Sequence, residues 1–536
     1  MSRGRCAALL LLSFLFFLLI SNSPLNIYDE GFVLYAADRI LRGDLPYRDF
    51  QLHYTPAQFY VVAALFEAFG PSLFVERAWD ALARTGLVAA GFALARALMP
   101  PGPAAGAALL IMLRLGASGF HGFPMLPGLG LALASGACLL ASVPRGRRAW
   151  AALAGLLAGA AVLFRQDMGG YAVVTEVAIL AAWRRLGASS RRGATAGPPS
   201  GAFIPYAVAL AAAVAPPFLF FLWRVGAAGL WHELVVYPRS VVVAQLTIPV
   251  PGLIPDFRVL FSVPGWRWGH MERAWGAWTD FYVPLLAYAW TAAAVIRSFR
   301  RDGRAAAARR ETWALVFLTS MGLAFFGYAL YRFDPIHAVA TFVPAAVLAA
   351  YWLWRALAGG RATAIAACLV LPVFVYLWVG VPLTRWLGGV RRAGPPVCSA
   401  PLGRAGCVAL DDGQREAVEY VRRRTKPGEP IFVRVTRRHR IPQNDTSFYF
   451  LADRPPATRQ HELLAGAATP VAIQEEMIAR LRQPDLRYIV LYAAFDDPRK
   501  PESSGEGSGA PLFDAFVREA FRPAGQFGAY LVLEKR

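Results

Sequence analysis

Three groups of polar residues sit at the ends of apolar stretches, and their types could do chemistry together. Tyr28-Asp29-Glu30-Gly31 follows the first apolar run, Phe164-Arg165-Gln166-Asp167 closes a middle one, and Arg332-Phe333-Asp334-Pro335-Ile336-His337 follows a later one. The loop after the first group adds Arg48, Asp49, His53 and Tyr54. A carboxylate can accept the proton of an incoming hydroxyl or amine. A guanidinium grips phosphate through a fork of charged hydrogen bonds. Glycosyl transfer with inversion needs a base on one side of the anomeric carbon and cations beside the departing phosphate on the other. Each group also has a structural reading. The Asp29-Glu30 pair suits a helix N-terminus at an interface. Arg165 with Asp167 neutralises itself, and Arg332, Asp334 and His337 read equally as an ion-paired loop. His53 reads as an ordinary loop histidine.

What places such residues is a membrane-spanning frame. The chain of 536 residues is 56% hydrophobic and only 17% charged, with a mean hydropathy of +0.41, outside the usual composition of a water-soluble domain. Long apolar runs recur, as in a polytopic helical membrane protein. The formal net charge of +20 could suggest nucleic acid. The arginines, however, gather in short loops on one side of the runs, a positive-inside pattern. Membrane lipids with anionic head groups explain the charge without any nucleic acid partner.

In chain order, an apolar run at 7–20 reads as a retained first helix, with a cleaved signal peptide as the other reading. Residues 29–42 and 57–69 read as short interfacial helices around a turn-rich loop at 43–56. Spans follow at 79–99, 103–120, 124–143, 149–164, 168–183, 204–225, 277–296, 312–330, 338–354 and 363–383. That makes about eleven with the first. The spans at 149–164 and 168–183 are short, which is tolerated where helices line a protein-enclosed cavity. Trp231, Trp266, Trp268 and Trp275 mark the 226–275 stretch as interfacial. Orienting the basic loops inward puts all three polar groups on the outer face, converging on a cavity suited to a substrate with a lipid tail and an anionic head.

The expected division is a membrane domain over 1–384 and an outer α/β domain over 385–536. In the tail, helices are expected at 412–424, 471–482 and 511–521, and strands at 430–435, 487–492 and 529–534. Residues 501–510 read as a flexible loop. Of the five cysteines, Cys6, Cys138 and Cys368 read as small apolar residues, and Cys398 and Cys407 as a local disulfide in an oxidising compartment. There is no Walker A, GxGxxG or GxSxG sequence, so a sugar nucleotide held by a Rossmann-type domain is not expected. Nothing in the Cys and His spacing suggests zinc. The isolated carboxylates define no metal site, which leaves a divalent metal cofactor open.

These motifs resemble the GT-C superfamily of polyprenyl-phosphate-sugar glycosyltransferases, in the branches of protein O-mannosyltransferases, lipid A aminoarabinose transferases and related core-sugar transferases. The resemblance rests on Tyr28-Asp29-Glu30-Gly31, Gly43-x-x-Pro46-Tyr47-x-Asp49, Tyr54-x-Pro56, Phe69-Gly70 with Arg77, Phe164-Arg165-Gln166-Asp167 and Arg332–His337. It implies a GT-C-like fold and an inverting transferase that moves a sugar from a polyprenyl-phosphate donor to an acceptor outside the bacterial cytoplasmic membrane. Glycolipid, polysaccharide and protein acceptors all stay open. By resemblance Asp29 is the catalytic base, with Glu30 assisting it or binding the acceptor. By their place at the outer ends of spans and in the first loop, Arg48, Asp49, Tyr54, Arg165, Asp167, Arg332, Asp334 and His337 are the expected substrate-binding residues. Some such proteins carry a soluble outer domain after the last span, and the tail here is similar, with Asn444–Arg454 as its most distinctive run. The other reading of the whole chain is a transporter or flippase of a lipid-linked glycan. Paired broken helices and related halves would mark that class, and neither is visible.

Overall fold

The computed structural model describes residues 3–119, 122–142, 147–188, 201–243, 250–254, 268–393, 402–435, 444–461, 467–494 and 509–536. Trp266, Cys398 and most of the 501–510 loop lie outside the described residues. Cys407 is disulfide-bonded.

Helix α1 (Arg3–Leu18) leads into α2 (Asp29–Leu41), the loop at 43–56, and α3 (Ala57–Phe69). Both short helices lie where the sequence places them. The loop between them is a tight device. Tyr47 takes a left-handed φ of 69°, and the Asp49 carboxylate accepts from the Leu45 N–H at 2.7 Å. Helix α4 (Leu73–Leu98) starts where the Ser72 hydroxyl accepts from the Phe74 N–H, and α5 (Pro101–Ala117) carries proline in its first turn. Then come α6 (Met125–Ser142), α7 (Arg148–Phe164), α8 (Gln166–Ala188) and α9 (Phe203–Val225). After the short α10 (Ala227–Trp231) and two π-helical turns, α11 (Trp268–Asp302), α12 (Arg304–Ala308), α13 (Arg310–Ala329), α14 (Pro335–Leu357), α15 (Arg361–Val375) and α16 (Val381–Ala393) complete the bundle.

Among the described residues, six helices are long and apolar enough to cross a membrane, at Leu73–Leu98, Met125–Ser142, Phe203–Val225, Trp278–Asp302, Arg310–Ala329 and Ile336–Leu357. Four shorter apolar helices accompany them, including α5 and α7. The protein is therefore a multi-pass membrane protein. Some of the expected spans fall short of this standard for identifiable reasons. Helix α8 carries Asp167, Glu176, Arg184 and Arg185 along its length, and α15 is followed by a π-helical turn at Tyr376–Gly380. Bundle packing is close: a Cβ on Gly128 of α6 would sit 3.2 Å from the Arg165 Cβ. By contrast α9 leaves Ile204, Leu219 and Trp223 more than half exposed, the surface a lipid-facing helix presents.

The tail builds a four-stranded sheet in the order β1 (Phe432–Val435), β2 (Tyr488–Tyr492), β4 (Tyr530–Lys535), β3 (Phe521–Phe527). The first pair is parallel and the others antiparallel. Around the sheet stand α17 (Asp412–Arg424), α18 (Ser447–Ala452), α19 (Val471–Leu481) and α20 (Pro511–Ala520). The three expected strands and three expected helices all form. Strand β3 and helix α18 are additions. Strand β3 holds Pro523 and Gly525 with a register shift between them, so pairing with β4 at the sheet edge overrides its poor strand propensity.

The strands alternate between two cores, as period-two side chains must. Phe432, Ile489 and Leu533 pack with Met477, Leu481 and Phe513. Val433, Val490 and Val532 face the other way, into one continuous core with Phe448–Ala452, Val33, Leu34, Phe50 and Phe59. The sheet thus packs onto the helix that carries Asp29.

Candidate active site

Asn26 prepares the first group. Its Oδ1 accepts from the N–H groups of Tyr28 and Asp29 at 3.0 and 3.3 Å, and its Nδ2 donates to Asp29 Oδ2 at 3.2 Å. Asp29 is half-buried and opens α2. Glu30 differs entirely: it is fully buried, and both its oxygens lie in the fork of Arg77, at 2.6 and 2.9 Å. Arg77 Nη1 also donates to the carbonyls of Ser21 and Ser23, both at 2.6 Å. One guanidinium on α4 therefore ties the turn that follows α1 to the start of α2. Glu30 is thus buried and paired, and it fixes the start of α2 to α4.

Arg165 caps α7. Its Nε donates to Asp167 Oδ1 at 3.0 Å and its Nη2 to the Tyr328 hydroxyl at 2.8 Å. The guanidinium carbon stands over the rings of Tyr54, Phe123 and Tyr328 at 4.7, 4.8 and 5.1 Å, within the range of cation–π attraction. The side chain is 4% exposed, yet Nη1 has no hydrogen-bond partner among the described residues. A buried, charged N–H group without an acceptor is costly, and it marks where an anionic oxygen would be favoured.

Asp334 caps α14, accepting from the Ile336 and His337 N–H groups at 3.0 and 2.9 Å. The same carboxylate lies 2.7 Å from His337 Nδ1 and accepts from Arg332 Nε at 2.6 Å. Burial pushes the Asp334 carboxyl up, but the His337 hydrogen bond and charge and the Arg332 guanidinium outweigh burial and hold it well below the usual carboxylate range. With Nδ1 facing a carboxylate, His337 turns Nε2 to the Tyr331 hydroxyl at 3.2 Å. Burial lowers Arg332, but Asp334 and then Asp29 outweigh it and raise it.

The groups converge. Tyr328, which binds Arg165, stacks on His337 at 5.3 Å, and Phe123 contacts Tyr54 and His337 at 5.8 and 6.5 Å. Tyr54, Arg165, Asp167, Arg332, Asp334 and His337 therefore form one connected cluster, and the Asp29 charge reaches it through Arg332. Arg48 and Asp49 stand apart. They hydrogen-bond each other at 2.9 and 2.7 Å, and that bond from Arg48, above burial, holds the Asp49 carboxyl below its usual range. No contact among the described residues joins either to Arg165, Asp167 or Arg332. His53 is buried against Phe32 and Tyr54.

Sequence reasoning did not assign roles to Arg77, Phe123, Tyr328 and Tyr331. Only Arg77 carried a signal, as part of the Phe69-Gly70 with Arg77 motif on which the resemblance partly rests. The aromatic residues are ordinary for a membrane helix until Arg165 is seen among them. No group of three or more His, Cys, Asp or Glu side chains among the described residues could hold a metal ion.

No family model matches the chain, and no curated protein does. Solved structures do. ArnT from Cupriavidus metallidurans, bound to undecaprenyl phosphate, is similar over 100% of this chain and 98% of its own, with a TM-score of 0.58 and 14% identity. The same protein in the apo state gives 0.55 and 14%, over 99% and 97%. The Archaeoglobus fulgidus oligosaccharyltransferase, complexed with zinc and sulfate, gives 0.52 and 13%, over 97% of this chain and 72% of its own. The chain shares its fold with these proteins.

Proposed function

We propose that this protein is an inverting glycosyltransferase that moves a sugar from a polyprenyl phosphate to an acceptor at the outer face of a bacterial cytoplasmic membrane. The observation that carries this reading is Arg165, a buried guanidinium whose Nη1 has no partner among the described residues, inside a cluster whose Arg332 also feels the Asp29 charge. Asp29 takes the proton of the acceptor hydroxyl or amine as that atom bonds to the anomeric carbon. The bond from the anomeric carbon to the phosphate oxygen breaks, and the electron pair leaves on phosphate. Arg165 and Arg332 neutralise the charge that develops there. Asp334 and His337 keep Arg332 in place, and Glu30 with Arg77 seats α2. Two neighbours support the donor class: ArnT was solved with undecaprenyl phosphate, and the archaeal oligosaccharyltransferase, at TM-score 0.50 and 13% identity, with a dolichol-phosphate. In this reading residues 1–384 are the catalytic membrane domain and 385–536 an outer domain.

The test is mass spectrometry of lipids and surface glycans from a strain lacking this chain, paired with transfer by purified protein from a polyprenyl-phosphate sugar. A single missing sugar, restored by the wild-type gene, is expected. Unchanged glycans together with no transfer in vitro would reject the reading. A reporter fused after Arg536 that is active only outside the cytoplasmic membrane checks the orientation.

A further inference from the structure

Helix α2 is gripped from two sides. Arg77 holds Glu30 on one. On the other, residues 31, 35, 38 and 42, spaced four, three and four apart, form the single stripe that such spacing makes on a helix, and this stripe meets the tail. A Cβ on Gly31 would lie 3.0 Å from the Ser447 nitrogen, so only glycine allows the close approach of α18. Tyr35 packs on Tyr449 and His461 at 5.5 and 4.7 Å. At the end of the stripe four charges alternate in a ring. Asp38 binds Arg42 at 2.9 Å, Arg42 binds Asp453 at 2.5 Å, Asp453 binds Arg404 at 2.7 Å, and Arg404 returns to Asp38 at 2.7 Å. Asp453 itself sits at a φ of 55°, a left-handed helix end that aspartate tolerates better than most residues.

The tail side of this contact is stiff. Asp445 is fully buried and accepts from Gln414 Nε2 at 2.9 Å, the Ser447 hydroxyl at 2.5 Å and the Tyr530 hydroxyl at 2.7 Å. Arg454 donates to the carbonyls of Asp453 and Thr425 at 2.9 and 2.7 Å. The distinctive Asn444–Arg454 run is thus spent on holding α18 to the sheet. Tyr492 of β2 also hydrogen-bonds Tyr28, the neighbour of Asp29.

We propose that the tail is part of the catalytic frame: the ring of Asp38, Arg42, Asp453 and Arg404 is a positioning clamp that sets the rotation and depth of α2, and with it the place of the Asp29 carboxylate. This rests on the reading of Asp29 as the base. Displacement of a reacting group by about an ångström is enough to cost a large factor in rate, so a clamp distant from the chemistry affects turnover before it affects binding.

The test compares full-length wild type, Arg404→Ala and Arg404→Lys in lipid nanodiscs. Arg404→Ala should lower kcat for sugar transfer by about tenfold with the donor KM within about twofold of wild type, and Arg404→Lys, which keeps the charge but not the fork that bridges Asp38 and Asp453, should recover part of it. Independently of activity, amide hydrogen exchange over 29–41 should quicken in Arg404→Ala while 488–492 and 530–535 stay protected. If those strands also lose protection, Asp453→Asn, which tolerates the left-handed backbone, decides by the same readouts. Unchanged kcat with unchanged exchange in α2 overturns the clamp. So does a raised KM with normal kcat, which would make the tail a binding element. A wild type that transfers nothing, with the exchange contrast intact, overturns the transferase reading and not the clamp.

Discussion

Arg77 and Arg84 of α4 and Arg165 at the cap of α7 are all buried in a membrane bundle, and they are used differently. Arg84 donates to Asp80 at 2.6 Å, to the carbonyls of Leu115 and Gly119 at 2.5 Å each, and to the Ser118 hydroxyl at 3.1 Å. Arg77 is filled in the same way by Glu30 and two carbonyls. Arg165, buried as well, leaves Nη1 without a hydrogen-bond partner among the described residues. A guanidinium carries five N–H donors, and within this trio the open Nη1 is what sets Arg165 apart. Burial and charge alone do not, since all three share them.

Removing the base should give the largest effect. Asp29→Asn keeps size and hydrogen bonding but cannot take a proton, and loss of a general base lowers turnover by about two to four orders of magnitude. The measurement is sugar transfer by purified protein at matched membrane levels. Glu30→Gln should keep far more activity than Asp29→Asn, because both Glu30 oxygens are committed to Arg77. Near-normal turnover of Asp29→Asn would move the chemistry elsewhere in the cluster.

The filled arginine should fail as a fold element. Arg77→Ala strands the buried Glu30 charge, and breaking such a pair costs about 3–5 kcal/mol. Expression and detergent stability should collapse together, with no variant that is folded yet defective in the donor alone. A well-folded Arg77→Ala protein would erase the distinction drawn from open donors.

The open arginine should fail as a ligand element. Arg165→Lys retains a charge but loses the planar fork over Tyr54, Phe123 and Tyr328. The apparent donor constant should rise by about tenfold, an energy of about 1.4 kcal/mol, with normal expression. Arg84→Lys is the control that should disturb folding and leave donor binding alone.

Much of this comparison was legible before any coordinates. Asp29–Leu41 and Ala57–Phe69 lie where turn residues and apolar runs place them, and so do the tail strands other than β3, because local pattern dictates them. What pattern could not show is which residues meet. Arg77 and Glu30 are 47 positions apart, and Arg42 and Asp453 are 411 apart. Nothing in the run Ser447–Ala452 says that a glycine on another helix awaits it. Arg48 and Asp49 were read alongside Tyr54, yet the left-handed Tyr47 turns their pair onto its own loop.

The smallest effect concerns how firmly the two regions hold together as pH falls. His53 of the first loop and His461 of the tail both stack on Phe32, at 5.8 and 5.1 Å. Burial, with the Arg165 charge after it, pushes His53 down to about 3. Burial, then Arg39 and His53, hold His461 well below its ordinary value. Both are bound as neutral rings, so the unfolded chain takes up more protons than the folded one between the two pKa values. Their contribution is therefore fully present above the ordinary histidine pKa of about 6.5 and is lost as pH falls from there towards about 3. At pH ~5.5 each imidazole should cost about 1.4 kcal/mol relative to neutral pH. His461→Phe keeps a ring against Phe32 and Tyr35 and removes the titration. The midpoint of thermal unfolding should therefore drop less between pH ~7.5 and ~5.5 in His461→Phe than in wild type, with the difference largest in amide exchange over α2. Equal drops in the two proteins would mean that the imidazole is not held neutral at the junction, and the pH dependence would have to come from the carboxylates of the ring.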